Sequence, residues 1–162
     1  MQATARHLLD VLKETLSHQE RIRDLMVKHK QLLIDGKDLD ALAVIKEIEE
    51  HSQVVVECER DRQAAVVEIA QNSEIEPDSL TVHNLLELPQ LLSVREELTT
   101  TTTQLRKVLQ EIILLRDEVE VLAQHAKAYS DMMLAAFHTA VSKPSNYGGS
   151  KSINAAFLSI RT

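Results

Sequence analysis

Apolar positions recur at alternating steps of three and four along most of the chain. The series is most regular at Leu91, Val94, Leu98, Thr101, Leu105, Val108, Ile112, Leu115, Val119, Leu122, Ala126, Tyr129, Met133, Ala136 and Ala140, where only Thr101 is polar. A period near 3.5 held over so many heptads predicts one long helix with left-handed coiled-coil packing. A similar series runs through Ala5, Leu8, Leu12, Thr15, Gln19, Ile22, Met26, His29 and Leu33, and another through Ala41, Ile45, Ile48, Ser52, Val55, Glu59, Arg62, Val66 and Ile69. The Gly and Pro residues that break helices fall in three places: Gly36, Pro77 with Pro89, and Pro144 with Gly148 and Gly149. Asp35-Gly36 supplies the left-handed position that ends a helix, Asp38 the N-cap of the next, and Pro89 a favoured first turn for the third. The predicted fold class is all-α. It is an elongated antiparallel helical bundle or coiled coil of three long helices (about 2–33, 38–71 and 89–140), with a connector at 72–88. That connector holds a short helix, Leu80 to Leu88, capped by Asp78 or Ser79. Residues 1–140 form the helical domain, and 141–162 a flexible tail with a short amphipathic segment.

The first two series carry polar interruptions. A hairpin folded at Gly36 sets Gln19 near Ser52 and Thr15 near Val55 to Glu59, so these polar positions meet in a layer that fixes register. The Thr99 to Thr103 run, a weak helix former because of β-branching, is expected as a softened, solvated stretch of the third helix.

Charge narrows the range of partners. Eighteen basic residues against 25 acidic ones leave −7, a poor surface for nucleic acid, whose phosphates demand Lys and Arg. Basic or cationic amphipathic partner segments suit it better. The longest apolar run, Met132 to Phe137, is too short for membrane insertion, and the first residues lack a signal-peptide core. One cysteine, Cys58, allows no internal disulfide and fits a reducing compartment. A cytoplasmic protein is expected.

Catalytic and metal chemistry find no support in the spacings. None of the seven histidines has an acidic residue three positions earlier, and no two are four apart. The Glu-x-x-His pattern of di-iron bundles and the His-x-x-x-His zinc pattern are therefore both missing. Glu14/His18 and Glu47/His51 are ordinary i, i+4 surface pairs, and His29 reads as a partly buried, hydrogen-bonded histidine. His125 lacks the neighbours of a phosphotransfer site. The acidic neighbours Glu57 and Glu59 raise the Cys58 thiol pKa rather than activate it. No phosphate loop, nucleophile elbow or Ser/His/Asp grouping occurs. Neither an enzyme nor a cofactor- or metal-binding protein is expected.

The carboxyl end differs in character. All four aromatic residues (Tyr129, Phe137, Tyr147 and Phe157) lie in the last 34 positions, and aromatic side chains often anchor interfaces. Tyr129, Met132, Met133, Ala136, Phe137 and Ala140 form an apolar stripe rich in adaptable methionine. It reads either as a binding surface or as closure of the bundle's end. A Pro/Gly/Ser linker carrying Tyr147 follows. Beyond it, Ile153, Ala156, Phe157 and Ile160 share one face of an amphipathic turn or two, which either folds back, docks on a partner or stays disordered. The candidate partner-binding residues are Tyr129, Met132, Met133, Phe137, Tyr147, Ile153, Phe157 and Ile160.

Taken together, the chain resembles the FlgN family of flagellar export chaperones. The resemblance rests on the Leu-rich first helix (Leu8, Leu9, Leu12, Leu16), the turn at Asp35-Gly36, and a second helix carrying Glu59-Arg60-Asp61-Arg62-Gln63. It extends through the connector Leu80-Thr81-Val82-His83-Asn84-Leu85-Leu86, the long third helix and the tail Asn146-Tyr147-Gly148-Gly149. Family members often carry an Asn in mid-third helix, where this chain has Arg116-Asp117-Glu118. The resemblance implies a cytoplasmic all-helical chaperone for the amphipathic ends of hook-associated proteins of the hook–filament junction. It further implies delivery to the flagellar type III export gate, with Tyr147 at the tail position implicated in gate and substrate contact. The competing reading is a non-enzymatic coiled-coil scaffold or adaptor that self-associates through the third helix.

Overall fold

The structure, a computed structural model, describes residues 2–73 and 86–142. It divides into two compact units, 1–123 and 124–162. Among the described residues the regular elements are α1 (Gln2–Ile34), α2 (Asp38–Asn72), a 3-10 turn (Pro89–Leu91) and α3 (Arg95–Ser142). The all-α expectation is met there. Most of the anticipated connector helix, and the tail from 143, lie outside the described residues.

The turn between α1 and α2 follows from glycine chemistry. Gly36 sits at φ 68, a left-handed conformation that side chains with a Cβ resist. The amide of Lys37 donates to the Leu32 carbonyl and that of Gly36 to Leu33, at 2.9 and 3.2 Å. These two bonds define a Schellman ending and satisfy carbonyls that α1 leaves open. A Cβ at Gly36 would meet nothing within 4 Å, so the cost of Gly36→Ala is backbone strain alone. It is expected to be about 1 kcal/mol, read as a lowered urea midpoint, with Gly36→Asn costing less.

Two expected helix starts shift. The N-cap of α2 is Lys37, which makes no side-chain capping bond, and Asp38 is the first helical residue. Asp38 and Asp40 in the first turn face the positive end of the helix dipole instead. Pro89 opens a 3-10 turn rather than the long helix, because Leu91, Leu92 and Val94 each bond back three residues (to Leu88, Pro89 and Leu91). The α-type ladder takes over with Leu98 to Val94.

Cross-helix contacts set the register within the first unit. Thr4 bonds Glu68, His18 meets His51, Arg21 pairs with Glu47 and His29 reaches the Ala41 carbonyl. The partner numbers fall as the first numbers rise, so α1 and α2 run antiparallel. Lys13–Glu97, Arg23–Glu111 and Lys30–Glu118 show α1 and α3 running in the same direction. Solvent screens these exposed or half-exposed pairs, so they select register more than they stabilise.

Stability comes from the apolar contacts. Ala5, Leu8, Leu9 and Leu12 of α1 pack with Ala65 and Ile69 of α2 and with Leu91, Val94, Leu98 and Leu105. Fully burying one such leucine is favourable by roughly 1.5–3 kcal/mol. The third-helix seam is buried as expected from Leu91 to Val108, Thr101 included. From Ile112 through Leu122 it is half-buried. α1 ends at Ile34, four residues beyond Lys30, whose partner is Glu118, so the helix against which the seam packs is spent there.

Candidate functional site

The first group of site residues stands in the described part of the second unit, the α3 stretch 124–142. Spacings of three and four place Tyr129, Met132, Met133 and Phe137 on one stripe. All four are exposed, at 62%, 60%, 43% and 68%. Leu134, which the pattern reading passed over, is exposed as well and widens the apolar surface. Ala126 and Ala136 on the same seam are also exposed. Large apolar side chains grouped in the open mark interaction surfaces rather than scattered surface residues. Tyr147, Ile153, Phe157 and Ile160 lie outside the described residues.

A second apolar surface, within the first unit, was not anticipated. Ile34 at the end of α1 and Leu114, Val121 and Leu122 of α3 line an open groove of about 540 Å³, with Lys30, Asp117 and Glu118 at its polar margin. Leu114 and Val121 are seven residues apart and lie off the main seam, which is why the heptad reading missed them. A count of apolar residues beside the seam would have flagged them, since Leu109 and Ile113 are exposed too.

The polar layer between α1 and α2 is met in part: Thr15 bonds Cys58, inside the expected Val55 to Glu59 stretch. Ser52 and Thr15 turn their hydroxyls back to Ile48 and Val11 of their own helices. Where Gln19 was expected to meet Ser52, the contact is made one position away, by His18 and His51. Glu59, placed on the seam by strict heptad spacing, is exposed, while Cys58 is buried. The reason is geometric: an α-helix repeats every 3.6 residues, so a 3.5 pattern drifts around the surface.

Burial is the first cause that pushes the Cys58 thiol up, with Glu14 and Asp61 adding to it and a Thr15 hydrogen bond opposing. Glu57 and Glu59, the expected causes, play no part. Arg62 grips both carboxylate oxygens of Glu59 at 2.7 Å, and this holds the Glu59 carboxyl below its ordinary range. The Glu59–Gln63 sequence is thus a local surface knot on α2, with Gln63 also bonded to Glu59. His29 is the half-buried, hydrogen-bonded histidine expected of its seam position; its Nδ1 donates to the Ala41 carbonyl at 3.2 Å. The Thr99 to Thr103 run is solvated only in part: Thr101 is buried, while Thr99, Thr102 and Thr103 donate to carbonyls one turn back. Among the described residues no three His, Cys, Asp or Glu side chains group as metal ligands, and no helix is long and apolar enough to cross a membrane.

A family model described as FlgN protein matches residues 1–155. The curated proteins and the solved structures offer no match to the chain.

Proposed function

The chain belongs to the FlgN family of flagellar export chaperones, and from that premise we propose that it captures the amphipathic terminal helices of hook-associated proteins in the cytoplasm. In this reading it keeps those helices from assembling early and hands them to the flagellar export gate. The observation that carries the proposal is the exposed stripe of Tyr129, Met132, Met133 and Phe137. An amphipathic helix lays its apolar face against such a stripe, with anchors at i, i+3, i+4 and i+7. Methionine suits the task because its unbranched, polarisable side chain repacks around differing partners. The acidic balance of the chain favours partner segments with a basic polar face. Tyr147, Ile153, Phe157 and Ile160 complete the proposed contact set, with Tyr147 assigned to the gate.

Isothermal titration of the purified chain with a peptide from the terminal helix of a hook-associated protein tests this. Saturable binding with a negative heat-capacity change is expected, because apolar surface is buried. Absence of binding would remove the proposal. Deleting residues 151–162 should leave the helices folded and weaken the same titration; identical affinity would remove the tail from the contact set. The exposed seam positions Ala126, Tyr129, Met133 and Ala136 also suit self-association as a scaffold. A stable higher oligomer that ignores the peptide, seen by mass measurement in solution, would favour that reading.

A further inference from the structure

His18 and His51 face each other across the α1–α2 hairpin with their Nδ1 atoms 2.8 Å apart. The ring centroids are 5.0 Å apart and the planes tilted by 50°. That centroid separation is nearly the nitrogen contact plus the two ring radii, so the Nδ1 atoms point at one another almost head-on. A metal chelate would turn both lone pairs toward a third point and draw the centroids closer. The head-on arrangement is that of a hydrogen bond in which one Nδ1–H donates to the bare Nδ1 opposite.

We infer that this pair is a proton-counting latch at the waist of the hairpin. Two neutral rings carry two protons on four nitrogens, one of them between the facing Nδ1 atoms. A third proton enters at the outer Nε2 of the donor ring. It leaves the contact in place and makes it charge-assisted. A fourth proton has only the acceptor Nδ1 to occupy. Two N–H groups then confront each other at a distance that admits one hydrogen, and two cations oppose each other. The contact must break.

The surroundings make that break consequential. Ala5, Leu8, Leu9 and Leu12 with Ala65 and Ile69 form an apolar block on one side of the pair, and Ile22 and Leu25 with Ala41 and Val44 are buried on the other. Thr15, Gln19 and Ser52 at the level between them are polar and half-buried, beside the half-buried Leu16, Ile48 and Val55 and the buried Cys58. The charged groups nearest to the pair in register lie on all three helices. On α1, Glu14 and Arg21 stand one turn to either side of His18. On α2, Glu47 stands one turn before His51 and is already engaged by Arg21. α3 turns Leu105 and Val108 inward, and its nearest acid, Glu111, is held by Arg23 and Lys107. None of these groups removes the conflict of the fourth proton.

The test is a double-mutant cycle of His18→Gln, His51→Gln and the double variant, followed by urea unfolding at about pH 7.5 and about pH 5, either side of the ordinary imidazole range. The other histidines are common to all four proteins and cancel. A favourable coupling between positions 18 and 51 is expected at the higher pH, shrinking to nothing or reversing at the lower. A coupling equal at both pH values, or absent at the higher one, overturns the inference. Nitrogen NMR of the unsubstituted chain gives a second reading: a single hydrogen shared by the two Nδ1 atoms near pH 7.5, and one on each near pH 5. Two protonated or two bare Nδ1 atoms at the higher pH would equally overturn it. Neither measurement depends on what the chain binds.

Discussion

Leu98→Ala is expected to destabilise the protein by about 2–5 kcal/mol, because Leu98 is fully buried and the surrounding side chains relax only partly into the space it leaves. Leu98 is 1% exposed and meets Ala5, Leu8 and Leu9 of α1 as well as Ala65 and Ile69 of α2 within one cluster. Its removal therefore weakens the tie between α3 and the hairpin, not one helix alone. Urea unfolding followed by circular dichroism should show a large fall in midpoint with the slope preserved. The control is Leu109→Ala on the same helix. Leu109 is 42% exposed, so its loss should cost about 0.5 kcal/mol or less. Equal effects for the two variants would mean that α3 does not unfold in one cooperative step with α1 and α2. A changed slope for Leu98→Ala would point instead to a second, separately melting unit.

The second large effect is on binding. Met132→Ala combined with Phe137→Ala should leave the urea midpoint within about 0.5 kcal/mol of the parent, since both side chains are exposed and alanine is the best helix former. The affinity for the hook-associated terminal peptide should nevertheless fall by roughly 10- to 100-fold. That range follows from losing one or two anchors worth about 1.4 kcal/mol each, a factor of about ten apiece. Leu92→Ala, a large exposed apolar residue near the start of α3, serves as the comparison and should bind as the parent does. If Leu92→Ala weakens binding as much as the double variant, the stripe is not the contact surface. If neither does, the groove around Ile34, Leu114 and Val121 becomes the next surface to substitute.

Much of the architecture is decided by chemistry local to the chain. The steps of three and four from Leu91 to Val108 are sufficient to orient one face of α3 inward, because side chains at that spacing share a face whatever they later meet. Gly36 ends α1 because its missing Cβ makes the left-handed conformation inexpensive. His29 could be read as half-buried from its seam position alone. The exposed stripe from Tyr129 to Phe137 was visible as a composition change, although the pattern could not say whether those side chains would be covered.

What remained was decided by distances between residues far apart in sequence. Thr4, Leu9, Val11 and Leu25 are buried although they stand off the heptad series, because α1 meets both α2 and α3 and needs an apolar face wider than one seam. Cys58 rather than Glu59 turns inward because the true repeat of the helix, not the idealised one, sets which residue faces its neighbour over a long contact. The meeting of His18 and His51 required the register of two helices to within a single residue. Each histidine alone reads as an ordinary surface partner of a glutamate one turn away. Periodicity assigns faces through local geometry, but register is a sum over many weak cross-helix contacts. Only the folded arrangement of α1, α2 and α3 supplies that sum.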